Sequence, residues 1–468
     1  MHNYDIAVIG GGAGGLVVAS VAAQLGLTVA IVEKEKQLGG DCLHYGCVPS
    51  KALLRTSYVA HLVSQAGTYG IDVSGTSTDM HRVNAYIQKA VATIQKHDSH
   101  QRFRQIGCDI YTGSASFINE REIRVNDKNL RAKRFVIATG STAWVPDMEG
   151  IDRVNYLTNE DMFSLAVLPE KLLVLGAGPV GVEISQAYMR LGSRVTLIEQ
   201  ADRILPGFDH DVSRLLKQQF QLEGINIVHG AVKCIQQDGN VRTVVMHDGS
   251  SLAGDQLLLA VGRRPVVDRL CLDRAGVEFN EKGIRVNTRM QTSRRHIFAC
   301  GDVTGQMPFT HVAEQQAGVV IANALFRIPR RMDYRVVPAV VYTDPECAQV
   351  GMSVEEAEQD ASTTVIEFDM QQLDRAITDN TAQGFLKLVV RKGRLAGAHA
   401  TGNRAGEIIH ELALAIQENM KLSKITTLVH AYPSYSQLNR RAASQYYRDS
   451  LFSSFSKRLV SLLSRWLP

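Results

Sequence analysis

The chain has 468 residues, 45% apolar and 21% charged, which excludes a disordered or fibrous protein and predicts about three domains at roughly 150 residues each. Fifty-one Lys and Arg against 47 Asp and Glu leave a net charge of +4, too small an excess over this length to predict a nucleic-acid binder. Seven cysteines are too few for a secreted disulfide scaffold and fit a reducing compartment with one special pair.

The first residues, Met1 to Asp5, lack the basic stretch of a secretory signal, so a cytoplasmic location is expected. Residues 6–32 carry no charge and are long enough to span a bilayer, but six of them are glycine. That pattern predicts a buried strand, a glycine turn, a small-faced helix and a second buried strand.

An apolar run over 5–9 leads into G-x-G-x-x-G at Gly10, Gly12 and Gly15, and the β-branched run over 28–33 ends at Glu33. The pattern returns 166 residues later: an apolar run over 171–175, then Gly176, Gly178 and Gly181, then a run over 194–199 ending at Glu199. Both acids lie 21 residues past the middle glycine. Strand, glycine turn, helix, strand and acid together form a dinucleotide-binding fingerprint. The first glycine permits the turn, the second lets backbone approach a pyrophosphate, and the third lets helix pack on strand. Free N–H groups at the helix start then face the phosphates. Two such sites imply electron traffic between two cofactors. Glu199 followed by Gln200 favours NADH over NADPH, because a 2′-phosphate would meet like charge there, although Arg203 is nearby.

A third part starts near Arg335, with β-rich runs over 336–343, 384–391 and 395–400 and helical periodicity over 405–420. Strands followed by helices predict an α+β unit.

Cys42 and Cys47 stand five apart behind Gly39 and Gly40 and ahead of Pro49, Ser50 and Lys51. On a distorted helix they come within disulfide reach. Two structural thiols, a zinc half-site and a redox pair are the alternatives, and the zinc reading lacks a second Cys/His pair at ligand spacing. The cysteines at 108, 234, 271, 300 and 347 are isolated and read as inert.

These motifs, in this order over nearly the whole chain, resemble the class I pyridine nucleotide-disulfide oxidoreductases, which include dihydrolipoamide dehydrogenase, glutathione reductase, mercuric reductase and soluble transhydrogenase. The resembling segments are 10–15 with Glu33, 42–51, 135–141, 176–199, 259–265, 297–302 and 341–345. The resemblance implies an α/β, glutathione reductase-like fold: two Rossmann-like FAD and NAD(P) domains plus an α+β dimerisation domain. The implied boundaries are 1–148 with 270–334 for FAD, 149–269 for NAD(P) and 335–468 for the interface of a homodimer. It also implies an FAD set of Gly10, Gly12, Gly15, Glu33, Lys51, Ala115, Thr139, Gly140 and Asp302. The implied nicotinamide set is Gly176, Gly178, Gly181, Glu183, Glu199 and Gly262. Cys42 and Cys47 become the active-site disulfide, with Cys47 against the flavin, Cys42 toward the substrate, and Lys51 paired with Glu183.

The base departs from the family pattern. Disulfide reductases of this family carry His-Pro with a Glu five residues after the His, supplied by the partner subunit. Here Tyr432 and Gln437 occupy those places, and neither is a base near pH 7. His430, two residues early, reads as structural. A Tyr at this position, and Pro179-Val180 in the second fingerprint, resemble the mercuric-reductase-like branch. No Cys follows Cys347, so the C-terminal metal-delivering pair of mercuric reductases is not expected, nor is their N-terminal metal-binding module ahead of Tyr4.

Residues 451–468 carry three bases and no acid, with Phe452, Phe455, Leu459, Leu462, Leu463 and Trp466 near helical spacing on one face. Two readings follow: an interfacial helix on anionic membrane, or a helix packed on the dimer. The expected function is therefore transfer of electrons from NADH through FAD and the dithiol to a metal ion, a quinone or another small molecule. Dihydrolipoamide dehydrogenase is the first alternative, and a membrane-docked electron-transfer flavoprotein at the inner membrane face the second.

Overall fold

A computed structural model describes residues 2–466, so Met1 and the last two residues of the 451–468 segment lie outside the described residues. The chain divides into two compact units. The first runs to Asp202 and resumes over Gly224–Asp333; the second combines Arg203–Glu223 with the chain from Tyr334 onward.

The first unit holds both nucleotide-type sheets. One has the order Cys108–Thr112, Val29–Glu33, His2–Ile9, Lys128–Ile137, then the hairpin partners Glu122–Val125 and Ala115–Asn119, with Ile297–Ala299 also joined to Lys128–Ile137. Its central strands are parallel, with Val8 opposite both Ile31 and Val136. Parallel strands are covered on both faces, which is why Val29–Glu33 is buried at every position. The charge-free run over 6–32 is thus a strand, the helix Ala13–Gln24 and a second strand, and no helix among the described residues is long and apolar enough to cross a membrane.

The other sheet is also parallel, in the order Asn226–His229, Arg194–Glu199, Lys171–Leu175, Gln256–Leu259. A three-stranded antiparallel meander over Val232–Asp238, Val241–Met246 and Ser251–Gly254 covers it with Ile235, Val244 and Met246.

The second unit is a five-stranded antiparallel sheet backed by the helices Ala405–Gln417, Leu422–Thr427 and Gln437–Leu451. This is the α+β arrangement expected for the third part. Ile408, Ile409 and Leu412 on the first of these helices are buried against Leu386, Leu388 and Ala398 of the sheet. Each such side chain contributes about 1.5–3 kcal/mol. The β-rich run over 336–343 is mostly not strand: Tyr334–Val336 is a 3-10 turn, and only Ala339–Val341 pairs.

The helix His210–Glu223 follows the second sheet's acid in sequence, yet it belongs to the second unit. Lys387 on the inner strand Phe385–Arg391 reaches it. Its ammonium donates to Asp209 at 2.9 Å and also to Asp211. Lys387 and Asp209 are both buried, with side chains 8% and 2% exposed. Breaking a buried ion pair from one side leaves a charge without compensation. Lys387→Met is therefore expected to lower the stability of this unit by about 3 kcal/mol, seen as an earlier urea midpoint by circular dichroism.

Candidate active site

In both glycine motifs the first glycine is held by backbone. Gly10 has φ +109°, and a Cβ on it would lie 2.2 Å from the Ala138 carbonyl oxygen. Gly176 has φ +101°, with the Ala260 carbonyl oxygen 2.5 Å from the same added atom. The third glycines pack against the first: a Cβ on Gly15 would meet the Gly10 oxygen at 2.1 Å, and one on Gly181 the Gly176 oxygen at 1.9 Å. The middle glycines differ. Gly178 faces nothing within 4 Å, and Gly12 meets only the Gly40 Cα at 3.8 Å. Each middle glycine is the N-cap of its helix, and neither helix has a side-chain cap. Two cradles that a Cβ would fill, each at an uncapped helix start, fit the pyrophosphates of FAD and of a nicotinamide dinucleotide.

The two acids do more than sequence reasoning assigned to them. Glu33 accepts from the Gly11 N–H at 2.7 Å and from the Glu35 N–H at 2.9 Å. Glu199 accepts from the Ala177 N–H at 2.6 Å and from the Ala201 N–H at 2.9 Å. In each copy one carboxylate clamps the glycine loop to the end of the neighbouring strand, so the acid shapes the cradle as well as presenting charge to a ribose.

Cys42 and Cys47 do not share one distorted helix. Cys42 lies on Gly40–His44 and Cys47 opens Cys47–Ser64, with a break at Tyr45 and Gly46. Gly46 suits the break, since a Cβ there would come within 3.0 Å of two Asp41 oxygens and 3.3 Å of the Cys42 Cα. The break brings the sulfurs into hydrogen-bonding contact. Cys47 sits at the positive end of an 18-residue helix. A hydrogen bond from Cys42 is the largest influence on its thiol and, with one from Thr310 and the charge of Lys51, brings it down to about 6 against burial. The Thr310 hydroxyl lies 3.4 Å from its sulfur. Cys42 is pushed up by the same contact and by burial. The pair is therefore polarised: Cys47 is the thiolate and Cys42 keeps its proton.

Lys51, one turn along the Cys47 helix, donates to Glu183 at 2.8 Å. Glu183 is buried on Pro179–Leu191, the helix that starts at the second glycine motif. The ion pair joins the redox helix to the nicotinamide-type helix.

Arg263 is a residue that sequence reasoning quoted in a motif but gave no role. It donates to the Ser141 hydroxyl at 2.7 Å and pairs with Asp41 at 3.1 Å, while Ser141 donates to Asp302 at 2.6 Å. One guanidinium thus gathers the Cys42 helix, the crossover strand and Asp302. Asn159 adds bonds to Asp41 at 3.1 Å and to the Tyr45 carbonyl at 2.9 Å. Neither Asn159 nor Thr310 had any local sequence signal.

Of the remaining residues, the Thr139 hydroxyl donates to the Val266 carbonyl at 2.6 Å, and Gly140 faces open space at φ +69°. Gly262, at φ +134°, lies beside Trp144. Ala115 is a buried strand residue opposite Val125. Cys42 lines a pocket of about 410 Å³ whose walls include Leu16, Val17, Leu43, Val48 and Phe103.

Tyr432 lies in the second unit, 69% exposed. Its hydroxyl bonds to Asp374, which pushes its proton loss further up. His430 is buried and bonds to Glu411 at 3.1 Å, and Asn439 donates to the same carboxylate at 3.0 Å. His430 is therefore a packed structural residue, as the sequence suggested.

Residues 4–317 match the pyridine nucleotide-disulphide oxidoreductase family, and residues 337–443 match its dimerisation domain. The chain belongs to this family. It is similar to a mercuric reductase of Lysinibacillus sphaericus, 33% identical over 96% of this chain and 83% of that one. It is equally similar to dihydrolipoyl dehydrogenase 3 of Haloarcula marismortui, 34% identical over 94% and 96%. Among solved structures, the HOCl-induced flavoprotein disulfide reductase RclA from Escherichia coli superposes with a TM-score of 0.86 at 27% identity, over 94% of this chain and 99% of that one. As a member, the chain is an FAD-dependent oxidoreductase that uses a pyridine nucleotide, and its dimerisation domain supports a homodimer.

The polarised pair has a direct signature. In the reduced protein, the ultraviolet absorbance of the thiolate should appear as pH rises through about 6 and vanish below it. Cys42→Ala removes the largest influence and should move that midpoint upward, toward the ordinary thiol value of 9.0.

Proposed function

We propose that the protein oxidises NADH and delivers its two electrons through the Cys42–Cys47 pair to thiophilic metal ions, one Hg(II) reduced to the metal or two Cu(II) reduced to Cu(I), as a member of the mercuric-reductase-like branch. The observation that carries this reading is the base position. Tyr432 is tied to Asp374, and His430 is bonded to Glu411, whose carboxylate also accepts from Asn439. A dithiol that reduces an organic disulfide needs a group to protonate the departing thiolate. A metal ion held between two sulfurs takes electrons without that proton. The names of similar proteins point the same way: mercuric reductases recur among the relatives, and the solved RclA structures include a Cu(II) complex.

Bound FAD supplies the two-electron link between the nicotinamide and the dithiol. The chain's own residues do the rest. The cradles at Gly12 and Gly178 would hold the two pyrophosphates, and Asp302 and Thr139 would help hold FAD. Lys51 and Glu183 hold the two helices in register and place a positive charge near the Cys47 sulfur. Cys47 stays ionised, and Cys42 opens into the apolar pocket and meets the acceptor. The binding sites span 1–148 with 270–334 for FAD and 149–269 for the nicotinamide dinucleotide.

A second reading, dihydrolipoamide dehydrogenase, rests on the comparable identity to the Haloarcula enzyme. An acceptor screen on the pure flavoprotein separates the two. NADH loss should be at least about a hundredfold faster with Cu(II) or Hg(II) than with lipoamide, a gap expected when acid–base catalysis is missing. Tyr432→His with Gln437→Glu should raise lipoamide turnover by about a hundredfold. Fast lipoamide turnover by the unaltered protein would overturn the metal-ion reading.

For the nucleotide, Glu199 places its charge at the strand end, and Arg203 is engaged by the Pro206 carbonyl at 2.8 Å. NADH should therefore be preferred over NADPH by about tenfold or more in kcat/KM, and Glu199→Ser should narrow the gap.

A further inference from the structure

The match to the dimerisation domain ends at residue 443, and the chain beyond it holds a feature that electron transfer does not use. The helix Gln437–Leu451 stops at Phe452, and Ser453 caps a second helix, Ser454–Leu463, by accepting from the Ser456 N–H at 3.2 Å. No residue of this second helix is buried. Phe455, Leu459, Leu462 and Leu463 recur at three- and four-residue spacing and fall within about a third of the helix circumference. Phe452 before the helix and Trp466 after it extend the same stripe, and Trp466 is 83% exposed. The opposite face is serine, at 454, 461 and 464, with Lys457. Arg458 and Arg465 flank the stripe, where their aliphatic stems can lie along an apolar surface while the guanidinium groups reach out of it.

Three physical constraints narrow what covers this stripe. A ten-residue helix is about 15 Å long, half the thickness of a bilayer core, so it lies on a surface rather than across one. So short a helix is marginal in water and needs an apolar surface to hold it. Residues 451–466 carry three bases and no acid, so the complementary surface is anionic. Aromatic residues at both ends of the stripe suit the headgroup boundary.

We propose that Ser454–Leu463, with Phe452 and Trp466, docks the enzyme in the plane of a membrane rich in anionic lipid. The apolar stripe enters the acyl boundary, and Lys457, Arg458 and Arg465 pair with headgroup phosphates. The inference stands whatever the electron acceptor is.

The test uses the full-length FAD-loaded protein, floated with vesicles of phosphatidylcholine alone or with about a third phosphatidylglycerol. Wild type should float with the anionic vesicles and at least tenfold less with the neutral ones. Replacing Lys457, Arg458 and Arg465 by Gln should weaken binding to anionic vesicles about a hundredfold at low salt. Phe455→Asp with Leu462→Asp should abolish it, while FAD content, homodimer mass and NADH oxidation with a soluble acceptor stay at wild-type values. Failure of wild type to float at low salt, or undiminished flotation of the double Asp variant, would overturn the proposal. So would conversion of the homodimer to monomer when the chain is stopped after residue 450, which would make the helix a subunit contact.

Discussion

The ion pair between Lys51 and Glu183 is the contact on which the rest of the site depends. It connects the helix that begins with Cys47 to the helix that begins with the second glycine motif. Glu183 is almost fully buried, and burying a carboxylate is costly unless a cation pairs with it. Lys51 meets that need and at the same time lowers the proton affinity of the Cys47 thiol. Packing, charge compensation and thiol chemistry thus share one ammonium group.

A second economy runs through the two nucleotide motifs. In each, a glycine without a Cβ opens the cradle and a carboxylate shapes it by accepting two backbone N–H bonds. The acid that would face a ribose is already locked in place by the loop it serves. Preorganisation of this kind lowers the ordering cost of binding. Arg263 extends the same principle to the redox helix by holding Asp41, Ser141 and the Asp302 cluster together.

Much of this was legible in the sequence because it is local. The strands Lys171–Leu175 and Arg194–Glu199 lie where their apolar runs predicted, and the Ala405–Gln417 helix lies inside the 405–420 pattern. Local reading failed where a distant partner decides the conformation. The spacing of Cys42 and Cys47 allows one distorted helix, but the segment forms two, with Gly46 and the contacts of Asn159 to Asp41 and Tyr45 at the break. The helix His210–Glu223 follows a nucleotide-type strand in sequence, yet Lys387, far along the chain, ties it to the other unit. The amphipathic pattern after 451 predicted a helix, and the break at Phe452 and Ser453 that frees it from Gln437–Leu451 came from the structure.

The sequence by itself determined the family, and it marked the two glycine motifs, the Cys42–Cys47 spacing and the Tyr432/Gln437 departure. Each is a pattern of residue types at short spacing, and short spacing constrains backbone geometry directly. Only the tertiary structure decided what the two fingerprint acids hold, what surrounds the Cys47 sulfur, and where Tyr432 and His430 find their partners. Those depend on burial and on charges brought together from distant parts of the chain. Field strength and desolvation are properties of the assembled surroundings, which no single segment contains.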